Sequence, residues 1–237
     1  MMRRILMTGL ALALTASVAR AGVIETGSDR YDYALAASAG SSDGPHQNNG
    51  PMIYGAFTDS TTATSSDSGG SGDARGEQTS SIDPGVYMAD LEAYGAASAE
   101  PFESGSARSD AYFEVLFTVT SPVDYTLTGA ASVNGGDSVM QISLTNVGSG
   151  GSPSQTFVNY IGGNSSTTLN ESGSLAPGDY RFRAHAWTDI SYFFEFDPLS
   201  NASTAAANVT LTLTPEPSSL MLLAIGGIAA LRRRRAA

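Results

Sequence analysis

Histidine and cysteine are the residues most often recruited for proton transfer, nucleophilic attack and metal ligation. This 237-residue chain has two of the first, His46 and His185, and none of the second. A disulfide framework, a thiolate zinc site, a cysteine nucleophile and a lipid-modified cysteine are therefore excluded. A Ser-His-Asp arrangement would have to use His185 with Asp189, yet no Gly-x-Ser-x-Gly elbow or other nucleophile context precedes them. Glycosidase chemistry needs two carboxylates facing each other across a sugar, and Glu114, Glu195 and Asp197 are candidates. With 23 acidic side chains some such pair always exists, so a solvated strand face is the default for each. Calcium accepts carboxylate and carbonyl oxygens from flexible loops, which suits Asp67, Asp73 or Asp137, although no Asp-x-Asp-x-Asp-Gly spacing occurs. The expectation is a chain with no catalytic residue and no cofactor, calcium being the one cation its loops would admit.

The densest chemical cluster is aromatic. Trp187, the only tryptophan, is followed by Tyr192-Phe193-Phe194 and Phe196, interleaved with Asp189, Glu195 and Asp197. Sugar-binding β-sandwiches use exposed rings beside carboxylates and amides, which makes Trp187, Asp189 and Tyr192 the candidate polysaccharide contact. The competing reading follows from period two: Tyr192, Phe194 and Phe196 share the buried face of a strand, and Phe193 with Trp187 covers the sandwich edge.

These residues must be positioned by strands, because the chain alternates and no amphipathic helix competes. Tyr87, Ala89, Leu91 and Ala93 alternate with Val86, Met88, Asp90 and Glu92. Phe113, Val115, Phe117 and Val119 share one face. Val123, Tyr125 and Leu127 repeat the pattern, as do Met140, Ile142 and Leu144, then Tyr180, Phe182, Ala184 and Ala186, and finally Val209, Leu211 and Leu213. Turn chemistry separates them at Ser121-Pro122, Asn134-Gly135-Gly136-Asp137, Gly148-Ser149-Gly150-Gly151, Gly162-Gly163-Asn164 and Pro177-Gly178-Asp179. Eight to ten such strands around one core predict an all-β, antiparallel two-sheet sandwich of the jelly-roll kind over residues 82–214. Residues 22–81 read differently. Runs such as Thr61-Thr62-Ala63-Thr64-Ser65-Ser66-Asp67-Ser68-Gly69-Gly70 hold few large apolar side chains, so this segment is expected to be partly disordered with one or two strands, one of them around Met52-Ile53-Tyr54 and Phe57.

The two ends are addresses. Arg3-Arg4, an apolar run from Ile5 to Val18 and Ala19-Arg20-Ala21 before Gly22 form a secretory signal peptide over 1–21, with cleavage expected between Ala21 and Gly22. About 14 apolar or small residues reach roughly 21 Å as a helix, too short for a hydrocarbon core of about 30 Å. At the other end stand Pro215-Glu216-Pro217, an uncharged run from Leu220 to Leu231 and Arg232-Arg233-Arg234-Arg235. The arginine cluster stops translocation and leaves everything before Pro215 outside the membrane. Residues 215–237 thus resemble the carboxy-terminal sorting signal of the PEP-CTERM family of exported bacterial proteins. The resemblance implies a transient transmembrane helix in the precursor, recognition by an exosortase-type membrane transpeptidase, and delivery to the cell envelope, outer surface or extracellular matrix of an exopolysaccharide producer.

Between these ends, 12 − 7 = 5 arginines face 23 − 1 = 22 acidic side chains, a balance of −17. A body so acidic repels nucleic acid and anionic lipid, which excludes both as partners. The functional expectation is a non-catalytic structural or interaction protein linked to exopolysaccharide. A carbohydrate-binding module and a secreted polysaccharide-active enzyme are the alternatives.

Overall fold

The period-two patterning carries directly into strands. In the computed structural model, which describes residues 22–38, 40–50, 54–147, 154–193 and 196–215, every described segment is strand or connection and none is helix. The strands are β1 (Val23–Ser38), β2 (Ser42–Asn49), β3 (Gly55–Asp67), β4 (Gly70–Asp83), β5 (Val86–Ala99), β6 (Ser104–Val119), β7 (Val123–Asn134), β8 (Ser138–Asn146), β9 (Ser154–Ile161), β10 (Ser165–Leu175), β11 (Gly178–Phe193) and β12 (Leu199–Pro215). The signal peptide with Ala19 and Ala21, Met52-Ile53, the Gly148–Gly151 turn, Phe194 and Glu195 lie outside the described residues. So do Glu216, Pro217, the apolar run and Arg232, Arg233, Arg234 and Arg235.

Two antiparallel six-stranded sheets stack face to face. The first runs β2-β1-β6-β11-β8-β9 and the second β10-β7-β12-β5-β4-β3. Pairing is nested in sequence: β8 with β9, β7 with β10, β6 with β11 and β5 with β12. This is one long antiparallel ribbon wound over two sheets, the path of a jelly roll. The hairpins β1–β2 and β3–β4 then extend the sheets beyond β6 and β5.

Between the sheets the core is thick at one side and thin at the other. Tyr87, Leu91, Phe113, Phe117, Leu127, Met140, Ile142, Phe182 and Leu211 fill the thick part, with Phe117 lying 5.4 Å from Tyr87 and 5.7 Å from Tyr180, centroid to centroid. Leu175 closes one end of this core, and the Tyr180 hydroxyl donates to the Ala176 carbonyl at 2.9 Å across the Pro177-Gly178 corner. In the thin part the facing residues are Ala34, Ala36, Ala63, Ala74, Ala97, Ala107 and Ile190. Here backbone meets backbone. A Cβ at Gly72 would stand 2.1 Å from the Ser106 carbonyl oxygen of the opposite sheet, and one at Gly76 would stand 2.6 Å from that of Asp110.

That thin part corrects the reading of residues 22–81 as a partly disordered segment with one or two strands, and with it the count of eight to ten strands. Four strands occupy 23–83, two in each sheet. Bulk was the wrong criterion. Glycine, alanine and serine let two sheets approach well inside the usual separation of about 10 Å, so small side chains keep dense contact while the ladders satisfy the backbone. Polar groups are buried there too: Arg30 donates to the Gly55 carbonyl at 2.9 Å, and Thr61 donates to the carboxylate of fully buried Asp32. The free edge of β3 is blunted by carboxylates, with the Thr64 N–H bonded to Asp43 at 3.0 Å and the Ser60 N–H to Asp59 at 2.8 Å.

The sandwich has two distinct poles. Gly22 accepts from the Thr120 N–H and Pro215 pairs with Val123, so both ends of the described body sit together. At the opposite pole Ala99 pairs with Leu199 and Ser104 with Phe193. The 16 residues of β6 that join the poles span about 53 Å at 3.3 Å each.

Candidate functional site

Strand alternation decides which side chains leave the core of the first sheet, and register decides which of them meet. On β6 the outward positions are Arg108, Asp110, Tyr112 and Glu114; on β11 they are Arg181, Arg183, His185, Trp187 and Asp189; on β1 they include Asp29, Tyr31 and Tyr33. Tyr31 pairs with Tyr112 and Tyr112 with His185, which pairs in turn with Gln141 on β8. One row of rings therefore crosses three strands.

The rings are in contact throughout. Tyr31 stacks on Tyr112 at 4.9 Å, Tyr112 meets His185 edge-on at 5.1 Å, and His185 stacks on Trp187 at 4.3 Å. Arg108 lies over the Tyr33 ring at 5.8 Å. Within the row, each stack covers one face of each of its two rings, and polar groups lie between them. Those groups are tightly organised. Asp110, 6% exposed, accepts from His185 Nε2 at 3.1 Å and from Arg108 Nε at 3.4 Å. Tyr112 donates to Glu114 at 2.7 Å, Arg181 approaches the same carboxylate at 3.8 Å, and Arg183 donates to the Gln141 side chain. Arg183 Nε is buried without a hydrogen-bond partner and makes no ion pair among the described residues. Burial, reinforced by the Glu114 contact, holds the Tyr112 phenol well above its usual range, and burial with the charges of Asp110 and Asp29 raises that of Tyr31. Both phenols stay neutral donors at physiological pH.

Charge is distributed unevenly between the faces. Of the five arginines in the body, Arg108, Arg181 and Arg183 lie on this face, Arg30 is buried between the sheets, and Arg75 pairs with Glu77 and Glu92 on the second sheet. Outward on β1, β6 and β11 the acids are Asp29, Asp110, Glu114, Asp179 and Asp189, giving 3 − 5 = −2 within a body of −17.

The structure divides the trio proposed from sequence. Trp187 and Asp189 are outward on this face, Asp189 opposite Arg108, but Tyr192 turns inward and packs on the alanine-rich core. An odd separation along a strand puts two residues on opposite faces, and nearness in sequence cannot override it. Of the buried face expected for Tyr192, Phe194 and Phe196, Tyr192 does face inward, Phe194 lies outside the described residues, and Phe196 is corrected, because it is 79% exposed beyond the end of β11. His185 pairs with Asp110 and not Asp189. Asp197 lies beyond β11, more than ten residues along from Arg183, the partner of Glu114, or roughly 33 Å away. Asp67 accepts from the backbone N–H groups of Gly69 and Gly70, Asp73 lies exposed on β4, and Asp137 accepts from Asn201. Among the described residues no three histidines or carboxylates gather as a metal site. Tyr31, Tyr33, Tyr112 and Asp110 were absent from the sequence reading. The i, i+2 spacing of Tyr31 and Tyr33 was the available signal, but nothing in the sequence sets β1 beside β6.

Three comparisons with known proteins complete the description. A family model described as the PEP-CTERM protein-sorting motif matches residues 213–235, beginning within the last three residues of β12. No curated protein matches the chain. Among solved structures, one of infectious bursal disease virus, Gx strain, aligns at 10% identity over 86% of this chain and 68% of its own, with a TM-score of 0.20. A GH31 alpha-xylosidase from Xanthomonas citri aligns at 8% identity over 74% of this chain and 30% of its own, with a TM-score of 0.18.

Proposed function

We propose that this exported chain, sorted by an exosortase through its PEP-CTERM motif, works outside the cell as a non-catalytic interaction protein. Its ligand is exopolysaccharide of the envelope or matrix, held on the ring face of β1, β6 and β11. The observation that carries the proposal is the row Tyr31–Tyr112–His185–Trp187, flanked by guanidinium, carboxylate and amide groups. Aromatic rings and the fixed donors between them suit the alternating C–H and hydroxyl surface of a sugar chain, and a flat sheet suits a polymer better than a small molecule. Asp110 accepts from both His185 and Arg108, and among the described residues no serine or threonine hydroxyl partners the histidine, which supports the non-catalytic reading.

The test is titration of the purified exported protein with purified exopolysaccharide by calorimetry. Replacing Tyr112 and Trp187 together by alanine should weaken binding about tenfold or more, while Thr79→Ala on the second sheet leaves it unchanged. Equal affinity in all three proteins would remove the ring face from the function. Release of reducing ends during the titration, lost on replacing one body carboxylate, would establish the enzyme reading instead.

A further inference from the structure

The pole farthest from Gly22 and Pro215 carries the three most exposed large hydrophobic side chains among the described residues. Phe102 is 60% exposed, Phe193 64% and Phe196 79%, and Phe102 meets Phe196 edge-on at 5.5 Å. Phe102 lies in the β5–β6 connection, Phe193 is the last residue of β11, and Phe196 lies in the β11–β12 connection. The first connection is a tight turn, with the Glu103 N–H bonded to the Glu100 carbonyl at 3.0 Å, Pro101 at its second position and Phe102 at its third with φ of 66°. That third position is the one a type II turn reserves for glycine. Among the described residues Phe102 is the one non-glycine with positive φ. The strain does not serve the core, because the ring it holds points into solvent. The turn is also braced from behind, since the Glu100 N–H donates to the Gly69 carbonyl at 2.9 Å.

From this we infer that the three phenylalanines form a docking tip for an apolar groove rimmed by arginine or lysine on a partner protein. Glu100, Glu103 and Asp197 stand exposed around the rings, and the described residues of these two connections include no cation. A basic rim complements that charge. Two copies meeting tip to tip would oppose their carboxylates and bury only about 800 Å², because six rings of roughly 200 Å² each are about two thirds exposed, short of the roughly 1,200 Å² at which stable interfaces begin. An anionic bilayer would be repelled, and the sorting motif adjoins the other pole, about 53 Å away by the length of β6. Phenylalanine also lacks the polar handle a sugar site uses, so this tip and the ring face act independently.

The test uses the purified exported protein and three fluorescein-labelled amphipathic peptides with leucine on one face and lysine, glutamine or glutamate on the other, followed by anisotropy. The lysine peptide should bind tightest and the glutamate peptide least. Phe102→Gly should lower affinity for the lysine peptide at least fivefold while raising the melting temperature by a few degrees, because glycine relieves the strained φ. Phe196→Ser should lower affinity without changing stability, and Trp187→Ala should leave affinity unchanged. Unchanged peptide binding in Phe102→Gly and Phe196→Ser would overturn the proposal. So would equal binding to neutral phosphatidylcholine vesicles with the same phenylalanine dependence, or a dimer in sedimentation that Phe102→Gly dissociates.

Discussion

Gly72→Ala is a sharp perturbation of the thin part of the sandwich, because it adds one methyl group where two backbones meet. The new Cβ would lie 2.1 Å from the Ser106 carbonyl oxygen and 3.1 Å from that of Ala37. An ordinary carbon–oxygen contact is about 3.3 Å or more, so β4 and β6 must part locally by roughly 1 Å. Neither atom belongs to a side chain that can rotate away, and both strands are held by ladders on both sides. The substitution should therefore cost about 3 kcal/mol, the upper end for overpacking a close-packed interior, and lower the melting temperature by roughly 6–12 °C. Gly136→Ala is the control. It lies in the β7–β8 turn with nothing within 4 Å of its Cβ position, and should change stability by less than about 1 kcal/mol, toward stabilisation. Denaturant unfolding followed by far-ultraviolet circular dichroism and by the fluorescence of the single tryptophan measures both. If Gly72→Ala matched Gly136→Ala, the two sheets would not be in contact at β4 and the close approach described above would be wrong.

Two further outcomes follow. Phe117→Ala, which empties a site between Tyr87 and Tyr180, should cost about 3–5 kcal/mol, whereas Thr118→Ala, losing one exposed hydrogen bond to Asp179, should cost well under 1 kcal/mol; equal thermal shifts would reassign the face of β6. Burial holds the Asp32 carboxyl above its ordinary value of 3.8, against the lowering effect of the Thr61 hydrogen bond. A group raised in the folded state contributes fully below its unfolded value and loses that contribution as pH rises through the folded one. Asp32→Asn should accordingly stabilise the protein at pH 7–8, with the gain shrinking toward zero as pH falls to about 4; a gain that grew in acid would refute this in paired unfolding curves.

The address of this protein was legible in its sequence because sorting machinery reads short linear segments, and Pro215 onward matches such a segment without any folding. Strand faces were legible for a related reason. Alternation at Phe113–Val119 or Tyr180–Ala186 is local and large side chains mark the buried side. The thin half was illegible because its apolar signal is alanine and glycine, whose burial has meaning only when a second sheet of equally small residues lies opposite. The ring face was illegible for a different reason. Tyr31, Tyr112 and His185 come from strands far apart in sequence, and only register brings them into one row. Phe196 likewise read as core from sequence, since a hydrophobic side chain carries no mark of the pole to which its loop is delivered. Composition and period determine which way a side chain points from its own strand; which side chains it meets there is a property of strand pairing, and pairing is decided by the free energy of the whole sandwich.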